Sequence, residues 1–207
     1  LPVVIKPYDG NHGRGVTLNL MTQDDVTAAY EIASAEGDSK SVIVERFIVG
    51  DEHRLLVVGN RMVAAAKGES LWVIGDGKST INALVEQQIN TDPRRGNTEE
   101  FPLGLVTPDE SAEILLDLKR QGMTSTSIPA ANQKVLIQPN GNVAIDVTDQ
   151  VHPENQRLVA LATRIVGLDI SGIDLVCQDI SKPLQEQGGA IIEVNASPGL
   201  LSHLKPA

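Results

Sequence analysis

Three polar side chains near the C-terminal end have the types and spacing to hold a divalent cation. Asp174 lies in Gly172-Ile173-Asp174-Leu175-Val176-Cys177. Glu193 and Asn195 lie in Ile191-Ile192-Glu193-Val194-Asn195-Ala196-Ser197-Pro198-Gly199. Both runs read as strands, although Asp and Asn are poor strand formers. In the second run Ile192 and Val194 alternate with Glu193 and Asn195. That alternation turns the apolar pair toward a core and the polar pair to the other face. If the two strands are neighbours, Asp174 joins Glu193 and Asn195 on one face. Three oxygen ligands on a rigid sheet suit Mg²⁺, which takes few protein carboxylates and completes its shell with water and phosphate oxygens. A lone Glu-x-Asn fits a solvated sheet face as well, so the rest of the chain has to decide.

The N-terminal end has the features of a phosphate-handling flap. A short apolar strand, Val3-Val4-Ile5-Lys6-Pro7, leads into Gly10-Asn11-His12-Gly13-Arg14-Gly15 and then into the strand-like run Val16-Thr17-Leu18-Asn19-Leu20. The common P-loop is excluded, because Val16 and Thr17 follow Gly15 where Lys and Ser/Thr belong, and a strand follows rather than a helix. The dinucleotide fingerprint is excluded because its glycines open a helix. Backbone amides of Gly10, Gly13 and Gly15 can lie over phosphates, as in a kinase glycine-rich loop. Lys6 adds a point charge on the strand entering the flap. His12 and Arg14 at the tip add donors. By itself this pattern also describes a flexible hairpin with a surface lysine.

Two further runs carry polar groups at strand ends. Ser41-Val42-Ile43-Val44-Glu45-Arg46-Phe47-Ile48 reads as a buried strand reaching a Glu-Arg step. A carboxylate there can accept from ribose hydroxyls, and the backbone of Arg46, Phe47 and Ile48 can offer an adenine edge its donor and acceptor. Asp51-Glu52-His53-Arg54-Leu55-Leu56-Val57-Val58 is followed by Gly59-Asn60 and a second run, a tight-hairpin pattern. Arg54 opens that hairpin, and its planar fork suits a carboxylate or a phosphate. Alone, each run also fits a strand ending at a surface ion pair.

Taken in order, these residues resemble the ATP-grasp ligases, in the C-terminal two-thirds of the unit. More narrowly the chain resembles the cyanophycin synthetases and, behind them, the ATP-grasp half of bifunctional glutathione synthetase. The narrower match rests on Lys6-Pro7-Tyr8-Asp9-Gly10-Asn11-His12-Gly13-Arg14-Gly15-Val16, Gly75-Asp76-Gly77-Lys78-Ser79-Thr80-Ile81, Asn90-Thr91-Asp92-Pro93-Arg94-Arg95-Gly96, Ala144-Ile145-Asp146-Val147-Thr148-Asp149 and Val151-His152-Pro153-Glu154-Asn155. It covers nearly the whole chain. Two segments depart from the family pattern. Gly68-Glu69-Ser70-Leu71 stands where an Arg-x-Pro-Ala-like segment is usual. A Gln138-Pro139-Asn140-Gly141-Asn142 turn replaces an Asn-Leu-Ser-Thr-Gly-Gly-like loop.

The resemblance implies a partial ATP-grasp fold of the α+β class, with two lobes of mainly antiparallel sheet gripping ATP. It implies ATP and Mg²⁺ as cofactors, the metal on Asp174, Glu193 and Asn195. The nucleotide would contact Lys6, Gly10, Asn11, His12, Gly13, Arg14, Gly15, Glu45, Arg46, Phe47, Ile48 and Glu52, with Arg54 and His12 catalytic. The reaction implied is peptide-bond formation through an acyl phosphate, extending cyanophycin (multi-L-arginyl-poly-L-aspartate) with aspartate or β-aspartyl-arginine. Partners implied are a cyanophycin or peptide primer, an amino-acid or dipeptide amine donor, a Mur ligase-like domain in the same full-length chain, and further copies in a homo-oligomer. Two other readings stay open: a degenerate ATP-grasp module that binds nucleotide without catalysis, and a glutathione synthetase-type ligase.

Composition narrows the classes further. A net charge of −10 and only five aromatic residues argue against a nucleic-acid partner. An acidic protein that binds ATP must gather its cations locally, and Lys6, His12, Arg14 and Arg54 are that cluster. A hydrophobic content of 41% suffices for a core, no run approaches a membrane span, and a cytoplasmic location is expected. The chain lacks a starting Met and begins inside a strand, which reads as a fragment. The single cysteine, Cys177, reads as a core filler. Gly77-Lys78-Ser79 imitates the end of a P-loop, but Trp72 stands where the first glycine belongs.

Helices must position these strands. Thr22 opens a capping pattern for a helix to about Ser34. Ile81, Leu84, Val85 and Ile89 mark a second. Thr107-Pro108-Asp109-Glu110 starts a third, with Ile114, Leu115 and Leu118 inward. Pro153 starts a fourth, with Leu158, Leu161, Ala162 and Ile165 inward. Residues 92–107 read as a surface loop. The expected domains are a small lobe, 1–68, holding flap and adenine hinge, and a larger lobe, 69–207, holding the metal strands, with ATP between them.

Overall fold

The computed structural model describes residues 2–10, 13–98, 100–101 and 103–200, with only the backbone described over 140–144. Its strands are β1 (Val3–Pro7), β2 (Thr17–Leu20), β3 (Val42–Arg46), β4 (Asp51–Val58), β5 (Arg61–Ile74), β6 (Arg95–Gly96), β7 (Leu103–Gly104), β8 (Lys134–Asp146), β9 (Ile170–Cys177) and β10 (Ala190–Ala196). Its helices are α1 (Gln23–Glu36), α2 (Ile81–Gln88), α3 (Ala112–Arg120) and α4 (Pro153–Val166). The class is α+β, as the sequence implied. Among the described residues no helix is long and apolar enough to cross a membrane.

The chain divides into two compact units, one of Leu1–Phe47 with Leu71–Pro139, the other of Ile48–Ser70 with Asn140–Ala207. The strand β5 passes from the second unit into the first at residues 70 and 71, so the boundary drawn at 68/69 falls inside one strand.

In the first unit β1 is the centre of an antiparallel sheet in the order β2-β1-β3. One face of that sheet buries Ile5 and Leu20 against Ala29 and Ala33 of α1. The helix starts where the sequence put it, because the Thr22 hydroxyl accepts from the Asp25 amide at 3.1 Å. β3 is an edge strand with Val44 exposed rather than a buried strand. Residues 92–107 form more than a surface loop: β6 and β7 pair in parallel, and Arg95, Leu103 and Val106 are buried. The Asp76 carboxylate accepts from the Lys78 and Ser79 amides, which makes the P-loop-like stretch a turn leading to the N-cap Thr80 of α2.

Three local expectations change. A short 3₁₀ turn occupies Pro108–Glu110, and α3 begins at Ala112 with Ser111 as its cap. Ile114, Leu116 and Leu118 are then buried while Leu115 is exposed. β8 runs through 138–142 without the expected turn. In α4 the buried residues are Asn155, Val159 and Thr163, and Leu161 and Ile165 face solvent.

The second unit is organised by β10, β9 and β4, within the five-strand order β10-β9-β4-β5-β8. β9 pairs antiparallel with both β10 and β4, and β4 with β5. The β4–β5 connection is the Gly59-Asn60 turn, both residues with positive φ, as the tight-hairpin pattern requires. One face of the sheet presents Leu55, Val57, Ile173, Leu175 and Cys177 to Val159 of α4 and to Ile180 and Leu184. Cys177 is a core residue as expected, and burial pushes its thiol up to about 11. From β10, Ile191 and Val194 join this core. The sequence alternation had named Ile192. A register break between Ile191 and Glu193 inserts one residue and resets the alternation, while leaving Glu193 and Asn195 on the opposite face.

Candidate active site

The face of the second unit's sheet that α4 does not cover carries a polar row. Arg54 on β4 stands opposite Asp174 on β9, and Asp174 stands opposite Glu193 on β10. Directly opposed residues of antiparallel strands point to the same face, so the three side chains lie in line across three strands. Asn195, two residues beyond Glu193, shares that face and donates its amide to Asp174 Oδ2 at 2.9 Å. Small residues border the row: Ala66 stands opposite Arg54, and Gly172 precedes Asp174 by two.

Asp174 is buried, while the Arg54 side chain is 39% exposed. Arg54 Nε comes within 2.8 Å of Asp174 Oδ1, but its N–H is not aimed to make a hydrogen bond, and Oδ1 stays a buried acceptor without one. Burial pushes the Asp174 carboxyl up to about 7; Arg54 opposes this, the charges of Glu52 and Glu193 add to it, and the Asn195 hydrogen bond opposes it again. A buried carboxylate oxygen with an unused lone pair, beside two more carboxylates, is a place that a cation would stabilise. Among the described residues no group of three or more His, Cys, Asp and Glu side chains is placed to hold a metal unaided. The donor set is two carboxylates and an amide, which fits Mg²⁺ sharing its shell with water and phosphate better than it fits zinc or calcium.

The first unit holds the other expected residues. Lys6 and Glu45 project from the sheet face opposite α1 and form an ion pair at 2.9 Å. The half-buried Val4 and Ile43 lie on the same face, opposite Glu45 and Lys6 in register. Together they make an apolar patch with one cation and one anion. Arg46 is exposed at the end of β3, and the Phe47 amide donates to the Pro2 carbonyl at 3.0 Å. In the flap, Gly13 and Gly15 both adopt positive φ, near +72°, which a side chain would strain. The space beside Gly10 is filled by Pro7. Asn11 and His12 lie outside the described residues.

Two flap groups are already engaged. Arg14 pairs with Glu36 at the end of α1, at 2.9 Å. The Gly15 amide donates to the Glu113 carboxylate at the start of α3, and Ser111 Oγ donates to the other oxygen of that carboxylate at 2.7 Å. Reading the sequence missed Glu36 and Glu113, since neither stands near the flap in the chain and nothing marks them apart from other surface acids. It also missed Gly172, although a glycine inside a strand signals close approach of another group. The resemblance motif around His152 is structural in part. His152 caps α4 through its ring Nδ1, and the buried Asn155 bonds the backbone of Ile180, Lys182 and Leu184.

No family model matches the chain. Solved structures do. A bifunctional glutathione synthetase from Pasteurella multocida superposes with a TM-score of 0.57 at 33% identity, over 99% of this chain and 28% of that one. A D-alanine–D-alanine ligase from Bacillus anthracis superposes with a TM-score of 0.52 over 98% of this chain and 46% of that one, at 10% identity, a likeness of fold alone. The chain has the ATP-grasp fold. Within that fold it resembles the cyanophycin synthetases. It is 43% identical to the one from Synechocystis sp. over the whole chain and 24% of that relative. The one from Trichormus variabilis is 44% identical, with 23% of its length covered. A glutathione biosynthesis bifunctional protein from Clostridium perfringens is 34% identical, over 99% of the chain and 26% of that relative. The chain thus spans about a quarter of the length of the curated relatives it matches.

Proposed function

We propose that this domain catalyses ATP-dependent amide-bond formation between a carboxylate and an amine, and that its substrate is a cyanophycin-type polymer. The observation that carries the reading is the Arg54–Asp174–Glu193 row with Asn195 beside it, on the sheet of a chain 43% identical to a cyanophycin synthetase. Bound Mg²⁺, held by Asp174, Glu193 and Asn195, would neutralise charge on the β- and γ-phosphates. Lys6, Arg14 and the amides of Gly10, Gly13 and Gly15 would hold those phosphates in line, and positioning with charge stabilisation supplies most of the catalysis. Glu45 would accept from the ribose. The backbone of Arg46, Phe47 and Ile48 would face the adenine edge, with Glu52 and Asn11 completing the nucleotide contacts.

The substrate carboxylate attacks the γ-phosphorus and ADP leaves, forming an acyl phosphate. The amine then attacks the acyl carbon, phosphate departs, and the amine loses its proton. Arg54 would hold the carboxylate or the acyl phosphate through its fork. His12 would donate to a phosphate or take the amine proton. The acceptor is read as the C-terminus of a growing aspartate chain and the amine as aspartate or β-aspartyl-arginine. The altered segments at 68–71 and 138–142 would fit the dipeptide, and they would equally fit a module that binds nucleotide without catalysis. On this reading the full-length protein adds a Mur ligase-like domain and works as a homo-oligomer in the cytoplasm.

The test is phosphate release from Mg-ATP by the full-length protein with a cyanophycin primer, with aspartate in one reaction and β-aspartyl-arginine in another. Release with either amine supports the polymer ligase and identifies its building block. Asp174→Ala and Glu193→Ala should each abolish that release, and wild-type turnover in either would remove the metal assignment. Tight ATP binding without release from any amine would point instead to a non-catalytic module. Release only with a γ-glutamyl dipeptide and glycine would point to a glutathione-type ligase.

A further inference from the structure

We propose that Gly172 is a positioning residue for this reaction: the space left by its missing side chain is the notch that seats Arg54, with Pro198 as the facing wall. A Cβ placed on Gly172 would stand 2.9 Å from Arg54 Nη1, 3.4 Å from Arg54 Cδ and 2.8 Å from Pro198 Cβ. Two separate groups therefore fill that space. Glycine weakens a strand interior, and its use there marks close approach by something else. The strand partners fix what approaches. Gly172 stands two residues before Asp174 on β9, so both face the same way, and Asp174 is the residue opposite Arg54. The Arg54 side chain thus runs along β9 from Gly172 to Asp174, with Nε at 2.8 Å from the carboxylate.

The second wall is placed by a backbone turn. Asn195 stands opposite Gly172 on β10, and two residues later Ser197 adopts a left-handed conformation, φ 51°. That turn takes the chain off the strand line and brings Pro198 back over Gly172. Asp174 alone leaves the guanidinium free to rotate about the contact. The notch removes that freedom and fixes the direction in which the fork points. The inference rests on reading Arg54 as the group that meets the substrate carboxylate.

The test uses Gly172→Ala, Arg54→Lys and the double variant in the full-length protein, assayed by primer-dependent phosphate release. Gly172→Ala should lower kcat by about 10- to 100-fold and leave KM for ATP within about twofold, since displacement of a positioned group by about 1 Å costs that much. In the Arg54→Lys background the same change should cost less than about twofold, because its effect passes through Arg54. An equal loss in both backgrounds overturns the proposal. Should Gly172→Ala not fold, Pro198→Gly removes the opposite wall and should lower kcat in the same direction; an unchanged kcat overturns the notch. A crystal structure of either variant gives a reading independent of activity. Displacement of the guanidinium from Asp174 supports the notch, and an unmoved Arg54 overturns it. If the wild-type protein releases no phosphate with any amine, the ligase reading fails, and the crystal structure still decides the notch.

Discussion

The backbone amide of Gly15 donates to the carboxylate of Glu113, a residue 98 positions further along the chain. A carboxylate therefore sits where the flap offers a donor to an anion. The far end of the same helix reinforces the contact, since Arg120 donates to the carbonyls of Leu18 and Asn19 on the strand leaving the flap. α3 thus holds the flap hairpin at both of its ends. Glu113→Ala should release the flap and expose the bond after Arg14. Without nucleotide, trypsin should cut the variant there several-fold faster than wild type, because cleavage tracks the population of the open form. Mass spectrometry of timed digests measures this. Equal rates would mean that the Glu113 contact does not restrain the flap.

The thiol of Cys177 is held well above the ordinary thiol range. Burial raises it from 9.0 to about 11. A folded value above the unfolded one means stability is fully present below pH 9 and declines as pH rises from about 9 toward 11. At pH 8 the native thiol holds about 100-fold less thiolate than an ordinary one, and only the thiolate alkylates. Iodoacetamide should therefore label the native protein at least about 100-fold more slowly than the urea-unfolded protein. Labelling at comparable rates would place Cys177 outside the core.

Asn155 is 1% exposed, and both ends of its amide are used. Its nitrogen donates to the carbonyls of Ile180 and Lys182, and its oxygen accepts from the Leu184 amide at 2.8 Å. Asn155→Ala takes the Leu184 amide's acceptor away in a place water does not easily reach, while the Ile180 carbonyl keeps the His152 amide and the Lys182 carbonyl keeps the Gln187 side chain. The expected loss is about 1–3 kcal/mol of unfolding free energy. Chemical denaturation measures it, and a loss below about 0.5 kcal/mol would mean the connection from β9 to β10 is held by other contacts.

The sequence was sufficient for the elements whose signals are local. The Thr22 cap, the Gly59-Asn60 hairpin and the core place of Cys177 depend on residues within a few positions, or on plain apolarity, and each stands where the pattern put it. The ordered motif set was enough to name the ATP-grasp class, and the polar face shared by Asp174, Glu193 and Asn195 followed from alternation and an assumed strand neighbour. Tertiary structure decided what alternation and helical spacing cannot carry. The extra residue at Ile192 shifted which isoleucine meets the core, because a bulge changes the phase of a strand without a sequence mark of its own. Asn155 and Thr163 turned inward and Ile165 outward, because their hydrogen-bond partners, the 180–184 backbone and Ser171, lie on other segments. The same holds for the site. The residue types were visible in the chain, but the facing of Arg54 to Asp174, the notch at Gly172 and the hold of Glu113 on Gly15 are pairings between distant positions. Only the folded backbone brings such positions within reach.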